Sequence, residues 1–110
     1  MANKSLTVHP DAEREYLTAL EWYRERSLTA AVNFEEEVQR AISQVEQAPE
    51  CWPSYFAVCR RFVLHQFPFS IVYRVYPSQV IVLAVAHGHR RPGYWKKRME
   101  WKGPEPPTEQ

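Results

Sequence analysis

Cysteine is scarce in this chain. Cys51 and Cys59 are the only two, too few for a disulfide framework, and a cytosolic protein keeps such thiols reduced. Long apolar runs are missing as well. The longest, Val80 to Ala86, falls far short of the ~20 residues that a bilayer span requires. The opening Met-Ala-Asn-Lys-Ser-Leu has no apolar segment of the kind a secretory signal carries, which points to a cytoplasmic protein. There is no internal repeat, and no low-complexity stretch before the last eight residues. Metal-type spacing is lacking too. Cys51, Cys59, His9, His65, His87 and His89 are donors enough, but they form no C-x-x-C and no paired spacing. His87-Gly88-His89 alone is too slight a signal, so neither a metal nor another cofactor is expected.

What the chain does have is core material. Its 110 residues are 45% hydrophobic and 14% aromatic, enough for one compact domain, expected over residues 1–102. The Pro-rich stretch 103–110, without an apolar side chain, is expected to be a disordered tail. The net charge of +1 hides an asymmetry. Residues 11–50 carry ten acids against four bases, a net of −6, while residues 51–102 carry nine bases against one acid, a net of +8. Such a chain either presents its basic half to something anionic or neutralises one half with the other.

Periodicity gives the elements. Leu6-Thr7-Val8 reads as a first strand. Pro10 and Asp11 then open a helix, whose stripe of Ala12, Tyr16, Ala19, Leu20 and Tyr23 ends near Arg26-Ser27. A second helix is predicted from about Ala30 to Ala48, with Ala31, Phe34, Val38, Ala41, Ile42 and Val45 on one face and Glu35, Glu36 and Glu37 largely off it. Pro49 stops it. Beyond an irregular stretch to Tyr55 the period falls to 2, predicting strands over Arg60 to Leu64, Phe69 to Tyr76 and Gln79 to His87. The last, almost wholly apolar, suits a central strand covered on both faces. The segment from Tyr94 to Trp101 is a helical turn or a loop. The sum is an α+β domain, β-α-α-β-β-β, with an N-terminal helical hairpin packed on a small antiparallel sheet.

The ordered set of Pro10-Asp11-Ala12, Trp22-Tyr23, Phe34 to Val38, Trp52-Pro53, Arg60-Arg61-Phe62, Phe67 to Val75, Val80 to His87 and Arg90 to Trp95 resembles the RelE/ParE superfamily. These are the toxins of bacterial type II toxin–antitoxin systems, also called plasmid stabilisation proteins. The resemblance covers roughly residues 6–98 and implies the same fold. It also implies a growth-inhibiting toxin whose partner is a small antitoxin with an acidic or disordered C-terminal segment. RelE-like members cut messenger RNA on the ribosome; ParE-like members bind and inhibit DNA gyrase. The oligomeric state, monomer or homodimer, stays open.

The departures from the RelE pattern favour the ParE-like branch. Arg61, Arg90 and Tyr94 fall where RelE-like enzymes carry a strand base and the Arg and Tyr after the last strand. Ser70, however, stands where those enzymes carry a central Arg, and Val63 where they carry a second strand base. A transition state gaining negative charge is poorly served without such cations. In the alternative, a metal-independent endoribonuclease, His65, His87 and His89 would act beside Arg61, Arg90 and Tyr94. Equally, His87 could close a strand and His65 cap a hairpin. A third alternative is a degenerate member that keeps the fold without toxicity. For a binding toxin, the expected contact residues are Arg60, Arg61, Arg90, Arg91, Tyr94, Trp95, Lys96, Lys97 and Arg98, since guanidinium and aromatic groups anchor both RNA and protein interfaces. Trp95 could instead cap the sheet. Trp22 reads as a core contact or as the edge of an antitoxin groove, Trp52 as a lid over the core, and Cys51 and Cys59 as small buried hydrophobes.

Overall fold

The first helix begins where the sequence predicts, and its start is held by an unusual cap. In the computed structural model, which describes residues 4–56 and 58–104, the strand β1 (Ser5–Val8) runs into the helix α1 (Pro10–Arg26). His9 caps that helix: its Nδ1 accepts the Asp11 N–H at 2.9 Å. Pro10 fills the first helical position, where a missing N–H costs nothing. Residues 105–110 of the expected disordered tail lie outside the described residues.

Ser27 joins the two helices alone. Its N–H still donates to the Tyr23 carbonyl, while its Oγ accepts the Ala30 N–H at 3.1 Å. One residue thus ends α1 and caps α2 (Leu28–Gln47), which therefore starts two residues before the predicted Ala30. The helices form the expected antiparallel hairpin.

Beyond Pro49 come β2 (Ser54–Phe56), β3 (Cys59–Val63), β4 (Phe69–Val75) and β5 (Gln79–His87). The strand β2 lies in the stretch expected to be irregular up to Tyr55. The five strands form one sheet in the order β1-β5-β4-β3-β2. The sheet is mixed rather than purely antiparallel, because β1 pairs with β5 in parallel, Leu6 opposite Val80 and Val8 opposite Val82. A parallel pair needs a long crossover, and the chain from α1 through β4 supplies it. Two helices on a five-stranded mixed sheet make this an α+β fold.

Both faces of the sheet are covered at β5, as its apolar run predicts. Under the helices, Phe34, Val38, Ala41 and Val45 pack on Ile71, Tyr73, Val80, Val82 and Val85. On the other face Cys59, Val72, Ile81, Leu83 and Ala84 form a second cluster beneath Trp95. Gly93 lets the chain turn back over that face. Its φ of +84° suits glycine, and a Cβ there would sit 3.1 Å from the Phe56 ring. A short 3₁₀ turn, Lys96–Glu100, completes the cover. Trp52 packs on Phe62 with ring centroids 4.6 Å apart, as a lid should, and Cys59 is buried. Cys51 is exposed, contrary to its expected burial, because it follows the end of α2 in a surface bend. Among the described residues, no helix is long and apolar enough to cross a membrane.

Glu37 corrects the helix-face assignment. It is only 6% exposed, and its carboxylate accepts the backbone N–H groups of His65 and Gln66. The glutamate thus clamps the β3–β4 turn to α2. Glu37→Ala leaves two N–H groups without an acceptor and should cost about 2 kcal/mol. Urea unfolding should show this as a lower midpoint with an unchanged slope. Glu37→Gln, which keeps one carbonyl oxygen, should lose less.

Candidate target-binding site

Two cavities flank the exit of β5. A groove of about 700 Å³ runs between α1 and the end of the sheet where β4 begins and β5 finishes, with Ala19, Trp22, Tyr23, Phe69 and Val85 among its walls. A smaller cleft of about 350 Å³ opens on the other face, where Tyr55, Arg61, Ser70, Ala86 and Arg91 line it. His87, Arg90 and Tyr94 border both.

Of the six residues proposed for nuclease chemistry, four meet at the cleft: Arg61, His87, Arg90 and Tyr94. The guanidinium of Arg61 lies 4.0 Å from the Tyr55 ring centroid, and that of Arg90 3.8 Å from the Tyr94 centroid. His65 lines neither cavity; it is exposed at the β3–β4 turn, its N–H held by Glu37. His89 is also exposed and lines neither cavity, and its N–H donates to His87 Nδ1 at 3.0 Å.

The Tyr94 hydroxyl does not face the cleft freely. It donates to Glu15 Oε2 at 2.7 Å, and Arg98 Nη2 donates to the same oxygen at 2.9 Å. Glu15 Oε1 accepts the Val85 N–H at 3.0 Å, and Arg98 also donates to the Leu83 carbonyl. One carboxylate on α1 therefore binds β5 and the C-terminal cover together. Burial, and then the bond to Glu15, push the Tyr94 phenol well above its ordinary range. Burial likewise raises Cys59 to about 11 and Tyr73 to about 12.

The contact residues expected from sequence divide into two groups. Trp95, only 1% exposed, packs edge-on against Phe56 and serves the core rather than a partner. Arg98 is committed to Glu15, with Asp11 3.8 Å away, and Arg60 donates to the Trp52 carbonyl at 2.6 Å. Arg90, Arg91, Lys96 and Lys97 are exposed and have no carboxylate partner among the described residues. Trp22, 52% exposed, stands at the groove with Arg26 over its ring, not in the core. Sequence reasoning passed over Glu15. Its place on the apolar stripe of α1, three residues after Ala12 and four before Ala19, is the available signal.

The three raised acids, with Tyr16 and Tyr23, which burial also raises, set an alkaline limit on stability. Each holds its proton more tightly in the fold than in the unfolded chain, so its contribution is complete below its ordinary pKa and fades as pH rises toward the folded value. Stability should be level near pH 8 and fall from about pH 9 upward, as Cys59 and then the tyrosines ionise. Urea midpoints measured between pH 7 and 11 would check this.

A family model described as ParE toxin of type II toxin-antitoxin system, parDE, matches residues 6–92. Among solved structures, a chromosomal ParDE toxin–antitoxin system from P. aeruginosa superposes with a TM-score of 0.68 at 18% identity, covering 76% of this chain and 95% of that one. The isolated E. coli RelE toxin gives a TM-score of 0.50 at 19% identity, covering 88% and 97%. At such identities these two likenesses speak to the fold alone. A comparison with curated proteins finds no match.

Proposed function

This chain belongs to the ParE toxin family of type II toxin–antitoxin systems, and on that premise we propose that it works by contact: it binds and inhibits a cellular target, DNA gyrase, until a small antitoxin neutralises it. The observation that carries this reading is the division of labour around β5. The phenol that could move a proton is tied to Glu15, whereas Arg90, Arg91, Lys96 and Lys97 have no acidic partner among the described residues. Ion pairs between the acidic and basic halves are confined there to Arg98 with Asp11 and Glu15. Most of the basic half is thus left facing outward, where it steers an anionic partner. Binding through such a surface needs no proton transfer. The purified chain should inhibit supercoiling by purified gyrase while leaving messenger RNA intact on programmed ribosomes.

One observation favours a second reading. The cleft gathers Arg61, His87 and Arg90 around Ser70, an arrangement able to hold a phosphodiester. A ribosome-dependent endoribonuclease built on it would cleave messenger RNA on programmed ribosomes and lose that cleavage in His87→Ala. Specific cleavage without gyrase inhibition would replace the binding reading with this one, and failure of both assays would favour a non-toxic member of the family.

A further inference from the structure

The groove and the cleft share a wall, and one cation in that wall is held by no ion pair among the described residues. Within the groove, Arg14 is paired with Asp11 and Arg98 with Glu15. Arg90 is the groove guanidinium without a carboxylate partner among the described residues. It is exposed, and the Tyr94 ring supports it by a cation–π contact at 3.8 Å. That contact is weak beside a charge-assisted bidentate pair. The ring itself is anchored, because its hydroxyl is bonded to Glu15. An anchored ring therefore carries an exposed cation that borders both cavities and is held by no ion pair among the described residues.

Charge and polarity say what fits the groove. Its floor of Ala19, Tyr23, Phe69 and Val85 is mostly apolar, and its unpaired charge is positive. An acidic amphipathic segment of a partner protein matches both features: apolar side chains on the floor and one carboxylate at the Arg90 edge.

We propose that Arg90 is a movable partition, drawn toward the groove by a carboxylate of such a segment and thereby withdrawn from the basic cleft, so that filling one cavity weakens the other. The identity of the segment as an antitoxin rests on the toxin reading; the coupling does not. It gives neutralisation a route that requires no covering of the cleft, since a ligand in one site changes the affinity of the other.

The test uses two probes on the intact chain: anilinonaphthalene sulfonate, an apolar ring system with one anion, for the groove, and inorganic pyrophosphate for the cleft. Amide NMR shifts at Ala19 and Val85 should place the dye. Pyrophosphate should then weaken dye binding by at least ~5-fold, and the dye should weaken pyrophosphate binding by the same factor. Arg90→Met should abolish this mutual effect while the dye still binds. Arg91→Met, at a residue lining the cleft alone, should weaken pyrophosphate yet keep the coupling. Independent binding in the parent chain, coupling that survives Arg90→Met, or a dye that does not enter the groove would each overturn the proposal. So would a self-association that excludes the dye, because a second copy would then cover the groove. A chain that shows the coupling but leaves gyrase unaffected would sink the gyrase reading alone.

Discussion

Glu15→Ala should lower the midpoint of thermal unfolding by roughly 15 °C, the largest stability effect expected of any single substitution outside the apolar core. The alanine removes the acceptor of three donors at once: the Tyr94 hydroxyl, the Arg98 guanidinium and the Val85 N–H. It also leaves Arg98 without its closest counterion in a site where the two side chains are only 16% and 17% exposed. Breaking a buried pair from one side costs about 3 kcal/mol or more, and in a domain of about 100 residues each kcal/mol moves the midpoint by roughly 4–8 °C. Arg98→Ala added to Glu15→Ala should cost much less than the sum of the two, because the second change removes the stranded charge. Scanning calorimetry of the two single variants and the double variant would check both points. Additive losses would mean that the carboxylate and the guanidinium act independently.

Arg90→Ala combined with Arg91→Ala should have the opposite profile, a fold left intact and a contact surface lost. Both side chains are exposed, and neither has a carboxylate partner among the described residues, so stability should change by no more than about 0.5 kcal/mol per site. Arginines that anchor an interface each contribute up to about 2 kcal/mol or more. Affinity for gyrase and for the antitoxin should therefore fall by thirty-fold or more, with a corresponding loss of growth inhibition. Circular dichroism, titration calorimetry and a growth assay would separate the two effects. Unchanged affinity and undiminished toxicity would remove these arginines from the contact surface.

The frame of the molecule was readable because its punctuation is local. Pro10, Ser27 and Pro49 mark helix ends through their own backbone chemistry, and the switch from period 3.6 to period 2 near residue 60 needs no tertiary information. The parallel pairing of β1 was not readable, since four residues of alternation do not say which strand they will join. Nor was β2, whose three residues gain their strand character from β3. The candidate site was legible in its cations but not in its partners. A pattern that assigns glutamate to solvent cannot find Glu15 or Glu37, whose acceptors serve donors 28 to 83 residues away. For the same reason Arg98 counted with the free bases, although its partner is on α1. Trp95 shows the converse: a ring in a basic run reads as a contact residue, yet the turn at Gly93 folds it into the core.

The measurement that bears most directly on action by contact is Tyr94→Phe, assayed in parallel on gyrase supercoiling and on programmed ribosomes. Phenylalanine keeps the ring that supports Arg90 and removes the phenol that the nuclease reading would need as a proton donor. Glu15 retains Arg98, so the loss of stability should stay near 1 kcal/mol. The expected result is gyrase inhibition within about twofold of the parent chain, with messenger RNA uncut by either protein. Ribosomal cleavage by the parent chain that disappears in Tyr94→Phe would contradict it, because the phenol would then be a reacting group rather than a platform.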